Sequence, residues 1–250
     1  MRYWIMGGGG IGCALAEACL ADGHQVLLLS RRAPHLAGLD WHLLDCTDGE
    51  ALERVCAGYS LPDRVINTLG MLHQDGQQPE KRIEQLSESA LLNSIHINTW
   101  PTLAMGRLLS RRLGRHQSLQ FATLSARVGS ISDNRAGGWY SYRISKAALN
   151  MAVKTLAVEW SRRFPAACVV GLHPGTVATP LSAPFRAGLA EGQLQTPAQA
   201  ARHLLTVLER LELTHHFSAI AGGDTFAFRK PDPEHILATV DRAGGSRDKV

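Results

Sequence analysis

No stretch of this 250-residue chain stays apolar for the roughly 20 residues that a membrane-spanning helix requires, so no span is expected. The apolar residues after Arg2 are broken by four glycines, Gly7 to Gly10, before they could form a signal-peptide core. Cysteine is sparse: Cys13, Cys19, Cys46, Cys56 and Cys168 are odd in number and show no Cys-x-x-Cys spacing. That pattern speaks against a disulfide framework and a zinc site, and it predicts reduced thiols in a cytoplasmic protein. The eleven histidines are scattered, and no metal site is expected from them. Runs of lysine or arginine are missing too. The formal net charge is +4, the arginine pairs at 31–32, 111–112 and 162–163 stand at or near element ends, and aromatics, 6% of the chain, do not interleave with basic residues. A nucleic-acid partner is therefore not expected.

What the chain does have is enough apolar residues, 45%, to bury one large α/β core. Tyr3–Met6 reads as a short buried strand, Gly7 to Gly10 as a tight turn, and Ile11–Ala21 as a helix. Gly7, Gly9 and Gly12 fit Gly-x-Gly-x-x-Gly directly after a strand, where glycines let the backbone approach a pyrophosphate seated on the helix N-terminus. Gly10 and Ile11 belong to the same cofactor loop. Gln25–Ser30 is a second strand, and the Asp or Glu that would hold the ribose hydroxyls of NAD is absent from its end. Ser30, Arg31 and Arg32 stand there instead, and two guanidiniums suit a 2′-phosphate; NADP(H) is expected over NAD(H).

Trp41–Leu44 forms a third strand that leads to Asp45, whose carboxylate can accept from an adenine amino group, with Cys46 beside it. Asp48–Ala57 reads as a helix and Arg64–Asn67 as the fourth strand; Asn67, Thr68 and Gly70 then lie where the carboxyl edge of the sheet opens over a cofactor. Gln74–Lys81 is polar and loop-like. Ser87–Arg112 is amphipathic, with Asn98 in its middle and Pro101 as either a kink or a junction between two helices. Ser118–Leu124 is the fifth strand, Ser125 stands at its end, and Arg127–Gly138 is a Gly-, Ser- and Asn-rich loop. Ala167–Leu172 is the sixth strand; His173, Pro174, Gly175 and Thr176 follow, then an apolar flap over 178–195 that includes Leu181 and Phe185. Thr196 and Pro197 cap a helix running to about Leu211.

The stretch between the fifth and sixth strands carries the chemistry. Tyr142 and Lys146 are four residues apart, so on a helix they share one face. An ammonium beside a phenol stabilises the phenolate and lowers a pKa that is ordinarily near ~10. A phenol so placed can exchange a proton with a substrate oxygen.

Strands alternating with helices over residues 1–212, with Asn67-Thr68-Leu69-Gly70, Asn98, Tyr142-x-x-x-Lys146 and His173-Pro174-Gly175-Thr176-Val177 in this order, resemble the short-chain dehydrogenase/reductase family. Within it, Ser125 through Tyr142 looks like the bacterial C-factor and the sniffer-type carbonyl reductases. The resemblance implies a doubly wound, Rossmann-type parallel sheet with helices on both faces. It also implies a small carbonyl or alcohol substrate and a homo-oligomer, dimer or tetramer. Tyr142 would be the proton donor, Lys146 would hold the nicotinamide ribose and lower the tyrosine pKa, a serine would orient the carbonyl, and Asn98 would support a proton relay. The family's serine position falls on Ala126, which leaves Ser125 and Ser130 as candidates; Ser125, directly at the strand end, is the choice. The Ala126 departure also keeps open a regulatory or cell-signalling protein with little turnover.

Residues 213–250 depart from the family's usual ending, and Ile220 through Glu234 look like an internal piece of phosphoglycolate phosphatases. No Asp-x-Asp-x-Thr nucleophile motif accompanies Lys230, so phosphatase chemistry is not expected. The tail is expected to dock Phe217–Ala221 as an edge strand and to start a short helix at Pro233.

Overall fold

The computed structural model describes residues 1–74, 77–190 and 192–212. The expected edge strand at Phe217–Ala221 and helix from Pro233 lie outside the described residues. Strands β1 (Arg2–Met6), β2 (Gln25–Ser30), β3 (Asp40–Leu43), β4 (Arg64–Asn67), β5 (Leu119–Leu124) and β6 (Ala167–Leu172) form one sheet in the order β3-β2-β1-β4-β5-β6. Every pairing in it is parallel. Helices α1 (Gly10–Ala21), α2 (Gly49–Ala57), α3 (Glu88–Asn98), α4 (Trp100–Arg112), α5 (Tyr140–Arg163) and α6 (Pro197–Glu212) make the crossovers and cover the sheet.

Alternation along the strands assigns the two faces. Tyr3 and Ile5 pack with Leu15 and Cys19 of α1 and with Leu204 and Leu208 of α6. Trp4 and Met6 point the other way, into a core shared with Leu52, Met105, Leu109, Leu149 and Trp160 from α2, α4 and α5. A strand buried on both faces reads as an unbroken apolar run, as Val26 through Leu29 does.

The chain order reverses between β1 and β4, so the carboxyl ends of these two neighbours diverge and open a crevice. Gly7 leaves β1 there and Thr68 leaves β4. Pro101 marks a junction: α3 ends at Asn98, Thr99 breaks the run, and Pro101 sits in the first turn of α4, where its missing N–H is not needed. The third strand lies one residue earlier than Trp41–Leu44, pairing Asp40 with Leu27 and Leu43 with Ser30. A short parallel pair, β7 (Thr176–Val177) with β8 (Leu194–Gln195), closes the ends of the 178–195 flap and was not legible as periodicity.

Candidate active site

The first half of the site is the turn between β1 and α1. Gly7 has φ +102°, and a Cβ there would come within 2.7 Å of Thr68 Oγ1. A Cβ on Gly12 would lie 1.9 Å from the Gly7 carbonyl oxygen, so only glycine lets the helix start this close to the strand. A Cβ on Gly9 would meet nothing within 4 Å, which leaves open space on the outer side of the turn. Gly9 caps α1 without a side-chain hydrogen bond, no acidic residue occupies the first turn, and the first backbone bond is Cys13 N–H to the Gly9 carbonyl. The amides of Gly10, Ile11 and Gly12 are therefore the uncapped donors at the positive end of a helix. That cradle fits the pyrophosphate of a dinucleotide.

At the end of β2 the side chains divide. The buried Ser30 hydroxyl donates to the Arg32 carbonyl (2.6 Å) and accepts from Trp41 Nε1 (2.9 Å), so it shapes the turn from inside. Arg31 and Arg32 are exposed. Arg31 approaches Asp45 at 3.9 Å, too long for a hydrogen bond. Asp45 Oδ1 accepts from the Thr47 amide and hydroxyl. Burial pushes this carboxyl up, but the Thr47 bonds and the nearby Arg31 outweigh it and hold Asp45 below its ordinary range. Cys46 is buried with its thiol toward the Leu29 carbonyl, and burial pushes it up to about 12. Asn67 braces the crevice floor, donating to Thr102 and accepting from the Leu69 amide, while Thr68 donates to the Met6 carbonyl across the gap.

The second half is built on α5. Lys146 is buried and its Nζ donates to the Leu124 carbonyl at the end of β5 (3.0 Å), while standing 5.9 Å from the Tyr142 ring centroid. Asn98 pairs with both backbone groups of Met71: Oδ1 accepts from its N–H (2.6 Å) and Nδ2 donates to its C=O (2.9 Å). Nδ2 also donates to Ser145 Oγ (2.9 Å), which donates to the Tyr142 carbonyl (2.8 Å). A Cβ on Gly70 would lie 3.7 Å from Lys146 Nζ, 3.8 Å from Asn98 Oδ1 and 3.8 Å from Leu181 Cδ1, so the bare backbone at Gly70 is where these groups converge. Pro174 accepts from Gln195 Nε2 (2.9 Å), and Gly175, with φ +77°, turns the chain into Thr176 and Val177 of β7.

The pair titrates differently from the sequence expectation. Burial pushes Tyr142 up to about 12 and Lys146 down to about 8. The ammonium spends its hydrogen bond on Leu124, so loss of water dominates both groups. Tyr142 thus carries its proton at neutral pH.

Both candidate serines are engaged in their own surroundings. Ser125 Oγ donates to Asn150 Oδ1 (2.5 Å), whose amide in turn donates to the Gly129 carbonyl. Ser130 Oγ accepts from the Asp133 amide within its own turn.

Two features escaped the sequence reading. The residue before α5, Trp139, has φ +53°, the one non-glycine with positive φ among the described residues, and no side chain of its own segment caps the helix. Buried Glu80 does so instead: its carboxylate accepts from the amide (3.1 Å) and the hydroxyl of Ser141, and its carbonyl accepts from the Trp139 N–H. The available signal was negative, since no Ser, Thr, Asp or Asn directly precedes Tyr140. The second feature is the aromatic contact from Trp139 to Phe185 of the flap (5.0 Å between centroids).

Among the described residues, no group of three or more His, Cys, Asp or Glu could hold a metal ion, and no helix is long and apolar enough to cross a membrane.

A short chain dehydrogenase family model matches residues 4–190. The 1-hydroxy-2-glutathionyl-2-methyl-3-butene dehydrogenase of Rhodococcus sp. (strain AD45) is 32% identical over 168 residues, covering 67% of this chain and 70% of that protein. The C-signal of Myxococcus xanthus is 37% identical over 94 residues, 38% of this chain and 51% of that protein. A phosphoglycolate phosphatase of Mesorhizobium japonicum is 63% identical over only 46 residues, 18% of this chain and 20% of that protein. Among solved structures, a short-chain dehydrogenase/reductase from Burkholderia multivorans with bound NADP superposes with a TM-score of 0.69 at 22% identity, covering 83% of this chain and 90% of that one. The carbonyl reductase Sniffer of D. melanogaster gives 0.67 at 19% identity, over 82% and 90%. These two likenesses speak for the fold; the family model spans well over half the chain, and with it the chain belongs to the short-chain dehydrogenase/reductase family of NAD(P)-dependent oxidoreductases.

Proposed function

We propose that this protein is an NADPH-dependent reductase of small ketones or aldehydes, with Tyr142 as the general acid. The observation that carries the reading is the shared face of α5, where a protonated Tyr142 stands beside a buried Lys146 anchored to the sheet edge. The dihydronicotinamide, when bound, supplies the hydride. Tyr142 gives its phenolic proton to the carbonyl oxygen, which leaves the product as an alcohol. Lys146, about 8 in this buried setting, holds its proton at pH 7 by roughly ten to one. Its charge stabilises the phenolate left behind and meets the nicotinamide ribose over the open backbone of Gly70. Asn98 fixes the segment after β4 and, through Ser145, the turn that carries Tyr142; the proposal gives it the support of the proton relay. Ser125 is assigned the second hydroxyl on the carbonyl, for which it must leave Asn150.

NADP(H) is assigned over NAD(H) from Arg31 and Arg32, two exposed guanidiniums at the end of β2, Arg31 having no carboxylate among the described residues within hydrogen-bond reach. The pyrophosphate goes to the Gly9, Gly10 and Ile11 amides, the adenine to Asp45 and Cys46, and the nicotinamide end to Pro174, Gly175, Thr176 and Val177. We assign residues 1–212 to this domain and give the 213–250 tail no part in the chemistry.

Oxidation of both reduced cofactors against a panel of aldehydes and ketones, for wild type and Tyr142→Phe, tests the reading. Reduction with NADPH and a loss of about 10²-fold or more in the variant are expected. No turnover of any carbonyl, or full activity in Tyr142→Phe, would sink it. Ser125→Ala and Ser130→Ala on the same substrate decide the serine: Ser125→Ala is expected to be the slower.

A further inference from the structure

We propose that Trp139 is the specificity-determining residue of this site, forming with Phe185 an aromatic slot beside Tyr142 that selects aryl ketones and aryl aldehydes. The inference deepens the carbonyl-reductase reading and rests on it.

Three successive residues, Gly137, Gly138 and Trp139, have φ of +63°, +61° and +53°. Glycine adopts this backbone freely, whereas a bulky side chain there is strained and persists only where its surroundings hold it. Glu80 supplies that hold. The Trp139 N–H donates to the Glu80 carbonyl, and the Glu80 carboxylate clamps the next turn through Ser141. A tryptophan kept where glycine would be easier points to a use for the indole.

The ring's position says what that use is. Trp139 meets Tyr142 edge-on (6.3 Å between centroids, 67°) and Phe185 likewise (5.0 Å, 63°). Phe185 meets His73 (5.7 Å, 63°), and the His73 ring nitrogen lies 3.3 Å from the Pro180 carbonyl oxygen, which ties the flap to the segment after β4. Leu181 of the same flap reaches the Gly70 point where Lys146 and Asn98 converge. A carbonyl brought to the Tyr142 hydroxyl thus has its flanking group against Trp139, Phe185 and Leu181. Trp139 and Phe185 are each only half-buried, so ring surface remains for a ligand. Flat π-surfaces add attraction beyond their buried area when they meet edge-on or offset, and a short aliphatic group gains none of this.

The test compares acetophenone with 2-butanone in wild type, Trp139→Gly and Phe185→Ala. Trp139→Gly removes the ring and relieves the backbone, which guards against simple misfolding; Phe185→Ala removes the facing ring without touching the helix start. Wild type is expected to favour acetophenone in kcat/KM by about tenfold or more, and each variant to lower that ratio by at least about fivefold, the scale of a lost aromatic contact. A second readout is equilibrium binding of acetophenone to the NADP⁺-loaded protein, expected to weaken in both variants. Turnover of 2-butanone with no preference for acetophenone, or a preference that survives both substitutions, overturns the slot and leaves the reductase reading standing. If wild type turns over neither ketone, the wider aldehyde and ketone panel decides the reductase reading separately; the slot then stands on acetophenone binding that Trp139→Gly weakens, and falls if that binding is absent.

Discussion

Helices α1 and α5 both begin without a side-chain cap from their own segment, and the molecule completes the two starts in opposite ways. At α1 no described residue fills the opening: a Cβ on Gly9 would meet nothing within 4 Å, and no side chain of the described residues caps the helix start. At α5 the opening is filled by Glu80, which arrives from 61 residues earlier in sequence to bond Ser141. In the proposed function one helix offers its positive end to the cofactor, while the other is capped by Glu80 at the turn that carries Tyr142. The same unpaired N–H groups therefore make a binding site or a scaffold, according to whether the protein supplies its own anion.

The largest expected effect breaks the open start. Gly12→Ala places a methyl 1.9 Å from the Gly7 carbonyl, an obstacle that is backbone and cannot rotate away. Dinucleotide affinity should fall by about 10²-fold or more and the melting temperature should drop, since overpacking of this kind costs about 1 to 3 kcal/mol. Gly9→Ala is the control that sharpens the point. Its methyl meets no protein atom, so the melting temperature should hold while cofactor binding weakens, and equal melting losses in the two variants would contradict the separation.

The next effect is read from α5. In the proposed mechanism the reductive rate requires Lys146 charged; burial lowers its pKa to about 8, and Tyr142, pushed up to about 12, keeps its proton far beyond that. Activity should be present below pH 8 and lost as pH rises through about 8, approaching tenfold per unit above it, with kcat/KM reporting the free protein. Lys146→Met should lower the rate and abolish that limb. A limb that stays near pH 10 in wild type would show that the lysine keeps its ordinary pKa.

The open start could be read from the sequence because all its parts are local. Gly7, Gly9 and Gly12 lie within six residues, directly after a buried strand, and steric need at a single turn dictates them. Tyr142 and Lys146 were legible for the same reason, being one helical turn apart. The closed start was not, because Glu80 sits in a polar loop and nothing near it in sequence marks its partner. The Ser125 bond to Asn150 likewise spans 25 residues, and only the tertiary fold brings the two together. Titration was misjudged because spacing carries no information on burial. Spacing placed the ammonium near the phenol; depth made desolvation the larger influence on both.

Arg31 extends the open half beyond the helix start. Its ion pair with Asp45 is long and both side chains are largely exposed, so it contributes little to stability and is free to meet a phosphate. Arg31→Ala should weaken NADPH binding by about tenfold or more, a hydrogen bond to a charged group being worth about 1.5 to 3 kcal/mol, and should leave NADH binding nearly unchanged. Wild-type protein that binds NADH more tightly than NADPH would remove Arg31 and Arg32 from the cofactor site.

The smallest effect probes the closed start. Glu80→Ala leaves the amide and hydroxyl of Ser141, a residue 2% exposed, without their acceptor. Unpaired buried donors cost about 1 to 3 kcal/mol, but the substitution also removes a buried carboxylate and its desolvation, so the net loss belongs near the lower end of that range. For a domain of this size 1 kcal/mol is about 2 to 4 °C in Tm. Glu80→Gln keeps one carbonyl oxygen for the Ser141 amide and should recover part of the loss, while giving up the attraction between a full negative charge and the helix dipole. Amide exchange at Ser141 should quicken in Glu80→Ala and less so in Glu80→Gln, with exchange in the first turn of α1 unchanged in both. Equal exchange at Ser141 in all three proteins would mean that α5 is held by its packing on α3 and β6 without help from Glu80.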